Sequence, residues 1–252
     1  MQWRLFNVFN HYFQKLHELL SLVEKDETDG LKVAAKKIAE CIQNDGIVHV
    51  FGCGHSHILG EELFYRAGGL VPINPILIED LMLHKGAVRS SQLEKENDLA
   101  KQFLARVKIQ PQDVVIVAST SGRNPVPIDV AEFAKNKGAF VIAITSYVYT
   151  NAVASRHKSG KYLYHTANLS IDNHIMVGDA LMEHESLAVS FGSGSTVIGT
   201  AIVNGIMVEA ISIMISNNFE PPIFKSGNAD GAEEHNRALI NKYKERIPML
   251  EN

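Results

Sequence analysis

The chain has 252 residues, of which 46% are hydrophobic and 21% charged, and its net charge is −4 with His neutral. That composition supports a sizeable buried core and suits one large α/β domain. It presents no basic run or nucleic-acid motif, and Cys41 and Cys53 form no CxxC pair, so neither a nucleic-acid partner nor a disulfide framework is expected.

Residues 3–24 carry Trp3, Phe6, Phe9, Phe13, Leu16, Leu20 and Val23 at steps of three and four, the spacing of an amphipathic helix. His11, Lys15, His17, Glu18 and Glu24 interrupt the segment, which lacks the continuous apolar stretch and small-residue cleavage site of a signal peptide. The helix packs either on its own domain or on a second copy. A second helix is expected over 31–43, capped by Thr28 or Asp29 and ended by Gly46.

The pattern then changes. Residues 47–51 are a short β-branched run and predict a buried strand, followed by a helix over 56–67 closed by Gly68 and Gly69. A second strand interrupted by Pro75 is expected over 70–78, and a helical stretch over 80–106. Next come a strand over 114–118, a polar loop over 119–127, a helix over 128–137 and a strand over 140–145. Together they form a βαβ unit. Residues 162–164 and 186–191 read as further strands, 168–179 as loop, 195–216 as a long helix, and 233–246 as a final polar helix.

Alternating elements with strands apolar on both faces argue for a doubly wound, mostly parallel α/β sheet, in which ligands sit beyond the carboxyl ends of the strands. The chain is read as a single domain over 1–252, with N-terminal helices in 1–45 and a tail and helix in 217–252. The apolar stretch 197–215 contains Asn204 and Glu209 and reads as a core helix rather than a membrane span. A cytoplasmic protein is expected, with no membrane partner.

Three polar loops follow strands. In the first, residues 51–57 (FGCGHSH), Gly52 and Gly54 allow a sharp turn and Ser56 offers a hydroxyl. This also begins like a dinucleotide fingerprint, with Glu79 and Asp80 downstream, but His57 stands at the third glycine. No cofactor is expected. His55 and His57 could be read as a metal pair, but no further ligand spacing accompanies them, and no metal is expected.

The second loop, residues 118–127 (ASTSGRNPVP), gathers Ser119, Thr120, Ser121 and Gly122 before a helix, with Arg123 and Asn124 beside them. Short hydroxyls and free amides can surround a phosphate without Lys; a plain helix-capping loop has the same composition. The third loop, residues 191–199 (FGSGSTVIG), puts Ser195 and Thr196 at a helix start, where they cap it or meet an anion.

The glycine turn, the strand–STSG–helix unit and the following KGAFVIAIT strand resemble the sugar isomerase (SIS) domain family. More closely, the whole chain resembles a bacterial single-domain subgroup similar to phosphoheptose isomerases and N-acetylmuramic acid 6-phosphate etherases. VGDALMEHE (177–185) and SGNADGAEEHN (226–236) look like subgroup signatures. The resemblance spans about residues 30–215. It implies a five-stranded parallel sheet, a dimer or tetramer, and a phosphosugar ligand. Ser119, Thr120, Ser121 and Asn124 would then hold the phosphate, and Gly54, His55 and Ser56 would lie beside the sugar.

Aldose–ketose isomerisation needs a base and an acid near a carbonyl. Glu61 and Glu62 lie one turn into the helix after the glycine loop and point in different directions. His235, in a tail that would close a neighbour's site in an oligomer, completes the candidate catalytic set. The functions expected are a phosphosugar isomerase, an etherase-type lyase acting on an amino-sugar phosphate, or a non-catalytic phosphosugar sensor.

Overall fold

Short runs of β-branched residues build the centre of the molecule. The computed structural model describes residues 8–251. Five strands, β1 (Val48–Gly52), β2 (Ile73–Ile76), β3 (Val114–Ala118), β4 (Phe140–Thr145) and β5 (Leu169–Asp172), form one sheet in the order β2-β1-β3-β4-β5. Every adjacent pair is parallel. Pro75 lacks a donor, and it sits in β2, an edge strand, where that loss is tolerated.

Side chains alternate across the sheet. Val114, Ile116, Ile142 and Ile144 face one layer with α1 (Val8–Gln43), α2 (Ile58–Leu63) and α8 (Ser195–Ser216). Val115, Val117, Val141 and Ala143 face the other, against α5 (Pro125–Asn136) and the segment carrying α3 (Ala87–Leu93) and α4 (Lys101–Leu104). Both faces are thus covered, as a parallel sheet requires. The short helices α6 (Tyr147–Ala152) and α7 (Leu163–Thr166) follow β4, and α9 (Ala232–Tyr243) lies in the tail.

Several expectations are corrected. The two N-terminal helices are one helix of 36 residues. Thr28 does not cap; its hydroxyl donates to the Glu24 carbonyl inside the helix. Leu16, Leu19 and Val23 are buried while Phe9 and Phe13 are exposed, and Trp3 and Phe6 lie outside the described residues. The helix after the glycine loop stops at Leu63, where Phe64 turns extended. Residues 80–106 are broken into short turns and helices.

Two strands are displaced. Residues 162–164 enter α7, where His165 closes a capping box with Tyr162, and the fifth strand comes instead from 169–172, within the stretch read as loop. Residues 186–191 are irregular, joined to the fold by an isolated Met182–Phe191 bridge. The core-helix expectation for 195–216 holds on one face: Ile198, Ile202, Val203, Ile206, Ala210 and Met214 are buried.

The amino ends of β1 and β3 are tied to the C-terminal tail. Asp113, fully buried, accepts from the Ile47 and Gln110 backbone N–H groups at 2.9 and 2.7 Å and meets His49 Nε2 at 3.2 Å. Arg246 donates to both of its oxygens at 3.1 and 2.7 Å. Burial pushes this carboxyl up, but the bonds from His49, Arg246 and the two amides outweigh it and hold it down at about 2.

Candidate functional site

Strand order reverses between β1 and β3, because the chain leaves β1 for β2 on one side and returns to β3 on the other. The loops beyond these two strands are where a doubly wound sheet opens a crevice. A cleft of about 260 Å³ lies there, lined by Ser56 and Leu59, Ala118, Ser119 and Thr120, Ile144 and Asn173, and Ser195, Thr196 and Gly199. It is narrow.

Two glycines shape its walls. A Cβ on Gly52 would stand 2.5 Å from the backbone carbon and oxygen of Ser56, so only glycine lets the 54–57 turn fold back onto the end of β1 and carry Ser56 to the cleft. Gly122 has φ +57, and a Cβ there would meet Thr145 Oγ1 at 2.5 Å. The STSG loop is pinned onto β4 through Ser146 N–H to the Thr120 carbonyl at 2.9 Å and Ser119 N–H to the Ile144 carbonyl at 3.0 Å.

The helix behind this loop contributes few donors. Pro125 and Pro127 have no N–H, and the Val126 N–H donates to the Glu94 carbonyl. Hydroxyls therefore dominate the cleft, those of Ser56, Ser119, Thr120, Ser195 and Thr196. Asn173, buried at the end of β5, donates to Thr120 Oγ1 at 3.3 Å. Beside the loop, half-buried Arg123 meets no carboxylate among the described residues, and its Nε is buried without a partner.

The fold brings together five of the expected residues from three separate loops: Ser56, Ser119, Thr120, Ser195 and Thr196. Ser121 is half-buried in the same loop and does not line the cleft. Asn124 is buried and engaged, donating to Glu94 at 2.8 Å and accepting from Arg156 at 2.9 Å. Burial raises the Glu94 carboxyl above its usual range. Gly54 starts the turn before Ser56, and His55 is exposed.

His57 bonds the Gly54 carbonyl and stands 3.6 Å from Glu61, whose side chain is 49% exposed. Glu62 points instead toward α8, accepting from Asn204 at 2.9 Å and pairing with Arg66. His235 bonds the Ile223 carbonyl at 2.9 Å, and Ile223 bridges Leu70, ahead of the amino end of β2. Within one chain it lies at the end of the sheet opposite the cleft. Glu79 and Asp80 pair with Lys85 and Arg89 at 3.1 and 3.0 Å on the surface.

Sequence reasoning missed Asn173, because β5 lies within the stretch expected as loop; the polar run Asp172-Asn173-His174 after the alternating Leu169-Ser170-Ile171 was the available signal. It also missed Asp179, whose carboxylate accepts from the Gly194 and Ser195 N–H groups at 3.0 and 2.9 Å and from the Ser195 hydroxyl at 2.6 Å. Elsewhere, Asp129, Glu132 and His157 bring possible metal-ligand atoms within 4.8 Å of one another. His157 bonds Asp129 at 3.0 Å and Lys161 pairs with Glu132 at 3.2 Å, so this cluster clips the 155–161 segment onto α5. A larger groove of about 1080 Å³ runs along β2 between Asn74–Glu79, Phe103, Arg106–Lys108 and the tail, with mostly apolar walls.

Residues 11–146 match the SIS domain family. A UPF0309 protein of Geobacillus kaustophilus (strain HTA426) is 60% identical over 243 residues, covering 96% of this chain and 97% of the relative. Among solved structures, the phosphoheptose isomerase of Neisseria gonorrhoeae aligns with a TM-score of 0.50 at 16% identity, over 83% of this chain and all of that one. A Bacteroides fragilis protein described as a phosphosugar isomerase involved in capsule formation aligns at 0.51 and 14% identity, over 86% and 93% of the two chains. At these identities the two structures speak for the fold alone.

Proposed function

The chain belongs to the SIS domain family, and from that premise we propose that it is a phosphosugar-binding protein whose reaction is aldose–ketose isomerisation of a phosphorylated sugar or amino sugar. The observation that carries the reading is the meeting of Ser56, Ser119, Thr120, Ser195 and Thr196 in one cleft at the strand reversal. Hydroxyls bonded to an ionised phosphate make charge-assisted hydrogen bonds, about twice as strong as neutral ones. Arg123, with no carboxylate beside it, adds a positive charge next to the loop. The names of the two structural neighbours, a phosphoheptose isomerase and a phosphosugar isomerase, agree with this ligand class.

Of the candidate acid–base groups, Glu61 is the one that keeps an exposed carboxylate free of a Lys or Arg partner among the described residues, with His57 3.6 Å away, and the reading assigns it the acid–base role although it does not line the cleft. Glu62 is held by Asn204 and Arg66. His235 would reach a cleft only on a second copy, and the reading includes self-association. A non-catalytic sensor is the second reading, favoured by the engagement of Glu62 and His235 elsewhere. A panel of hexose, heptose and amino-sugar phosphates decides between them. The isomerase reading expects interconversion of at least one member, lost in Glu61→Gln with binding retained. Binding without turnover of any member would favour the sensor, and absence of binding would end both.

A further inference from the structure

Ser195 lines the cleft, yet its hydroxyl hydrogen is directed to an anion that the chain itself supplies. Asp179 Oδ2 accepts from that hydroxyl at 2.6 Å, while Oδ1 accepts from the Gly194 and Ser195 N–H groups at 3.0 and 2.9 Å. These groups open α8, where a carboxylate is held by both hydrogen bonds and the helix dipole. Asp179 is not part of that helix. It lies in the VGDALMEHE segment, with left-handed backbone at φ +50. That segment is folded back on residues 191 and 192 by the Met182–Phe191 and Leu181–Gly192 backbone bonds.

The cleft is narrow, with Ser195 and Thr196 on one wall and Ser119 and Thr120 on another. A phosphate ester seated among these hydroxyls would meet Ser195, whose hydroxyl hydrogen Asp179 already holds. The wall held by Asp179 has a direct means of moving, because its three donors can pass from one oxyanion to another without being left unpaired.

We infer that Asp179 is a specificity-determining residue: its carboxylate stands in for the ligand's oxyanion, and a phosphate ester is admitted by displacing it from Ser195. The inference rests on the reading of the cleft as a phosphosugar site and adds a selection rule to it. A ligand that brings its own oxyanion replaces the three bonds it breaks. A neutral sugar cannot, because a hydroxyl replaces charge-assisted bonds with weaker neutral ones. The displaced carboxylate passes to solvent with the 177–185 segment, so the cleft discriminates for the phosphate group before any contact with the sugar ring.

The test measures calorimetric binding of inorganic phosphate, glucose 6-phosphate and glucose to the full chain, as wild type, Asp179→Asn and Asp179→Ala. Thermal unfolding followed by circular dichroism confirms that each is folded. Asp179→Asn keeps an acceptor for the two amides and removes the charge, so it carries the test should the alanine variant not fold. The expected result is at least tenfold tighter binding of both phosphate-bearing probes to the variants, with glucose bound by none. Wild-type binding of phosphate with no gain in either variant would overturn the inference and leave the cleft reading standing. Glucose binding as tightly as glucose 6-phosphate would overturn the oxyanion requirement. Absence of anion binding in all three proteins would remove the cleft reading and the inference together.

Discussion

Thr120 is the side chain on which the cleft converges. Its hydroxyl receives the Asn173 amide at 3.3 Å, and its carbonyl is fixed by Ser146 N–H at 2.9 Å and reached by Thr145 Oγ1 at 3.4 Å. A hydroxyl so placed is oriented before any ligand arrives, which reduces the ordering that binding requires. Replacing it with the near-isosteric valine leaves the loop in place and would remove one bond to the proposed phosphate. Thr120→Val is expected to weaken sugar-phosphate binding by about 1.5–3 kcal/mol, roughly ten- to a hundredfold. Titration calorimetry with the tightest member of the panel measures this directly, and an unchanged affinity would exclude Thr120 from the contact. Cys53, fully buried behind the turn, has its thiol pushed well above the ordinary range by burial, and next by the nearby Glu94 charge. It belongs to the core layer with Phe51 and Ile76.

Helix α8 is largely apolar but packed on only one side. Ile198, Ile202 and Ile206 face α1 and the sheet, while Val197, Val208 and Ile215 are 42, 68 and 59% exposed. These three recur at near-multiples of the helical turn with Ala201, giving a continuous outward stripe. On α1, Phe9 and Phe13 are likewise exposed and stack edge-to-face at 6.2 Å. Such surfaces mark association sites in water-facing proteins. The self-association in the proposed function would use this element, and Val208→Lys is expected to shift the chain toward monomer. Sedimentation velocity across a concentration series reads the outcome; a wild-type chain already monomeric at tens of micromolar would contradict it.

Across the whole molecule, the two ends of the sheet have different tasks. The carboxyl ends carry the cleft. The amino ends are locked to the tail through Arg246, Asp113 and His49. Because the folded Asp113 carboxyl is held near 2, below the unfolded value of about 3.9, its contribution to stability is complete above pH ~4 and lost as the pH falls toward 2. The unfolding temperature of the wild type is expected to drop through that window. Asp113→Asn should be less stable near neutrality and flatter between pH 4 and 2; a parallel profile for the two proteins would contradict the assignment.

The division between the ends also explains what was legible beforehand. The strands of the central unit, 114–118 and 140–145, appear at their expected bounds because their apolar runs are buried on both faces and their turns are punctuated by Pro111 and Gly138, while its helix begins three residues early, at Pro125. The three site loops were legible because each places small hydroxyl residues directly before a helix. The edges were not. Leu169–Asp172 is a four-residue edge strand with only half its side chains buried, and Tyr162–Tyr164 has strand composition but a helical capping box. Nor could Asp179 be found from spacing, since it meets Ser195 sixteen positions later through a folded segment with no regular period.

The central claim is that a sugar phosphate binds where the loops after β1 and β3 meet the start of α8. Backbone amide NMR during titration of the full chain with glucose 6-phosphate tests it at every one of these positions in a single measurement. The account predicts saturable shifts concentrated at Ser56, Ser119–Ser121 and Ser195–Thr196, with the amides around Asp113 and Arg246 unmoved. Shifts centred instead on the β2 groove at Asn74–Glu79, Phe103 and Arg106–Lys108, with the three loops silent, would contradict it.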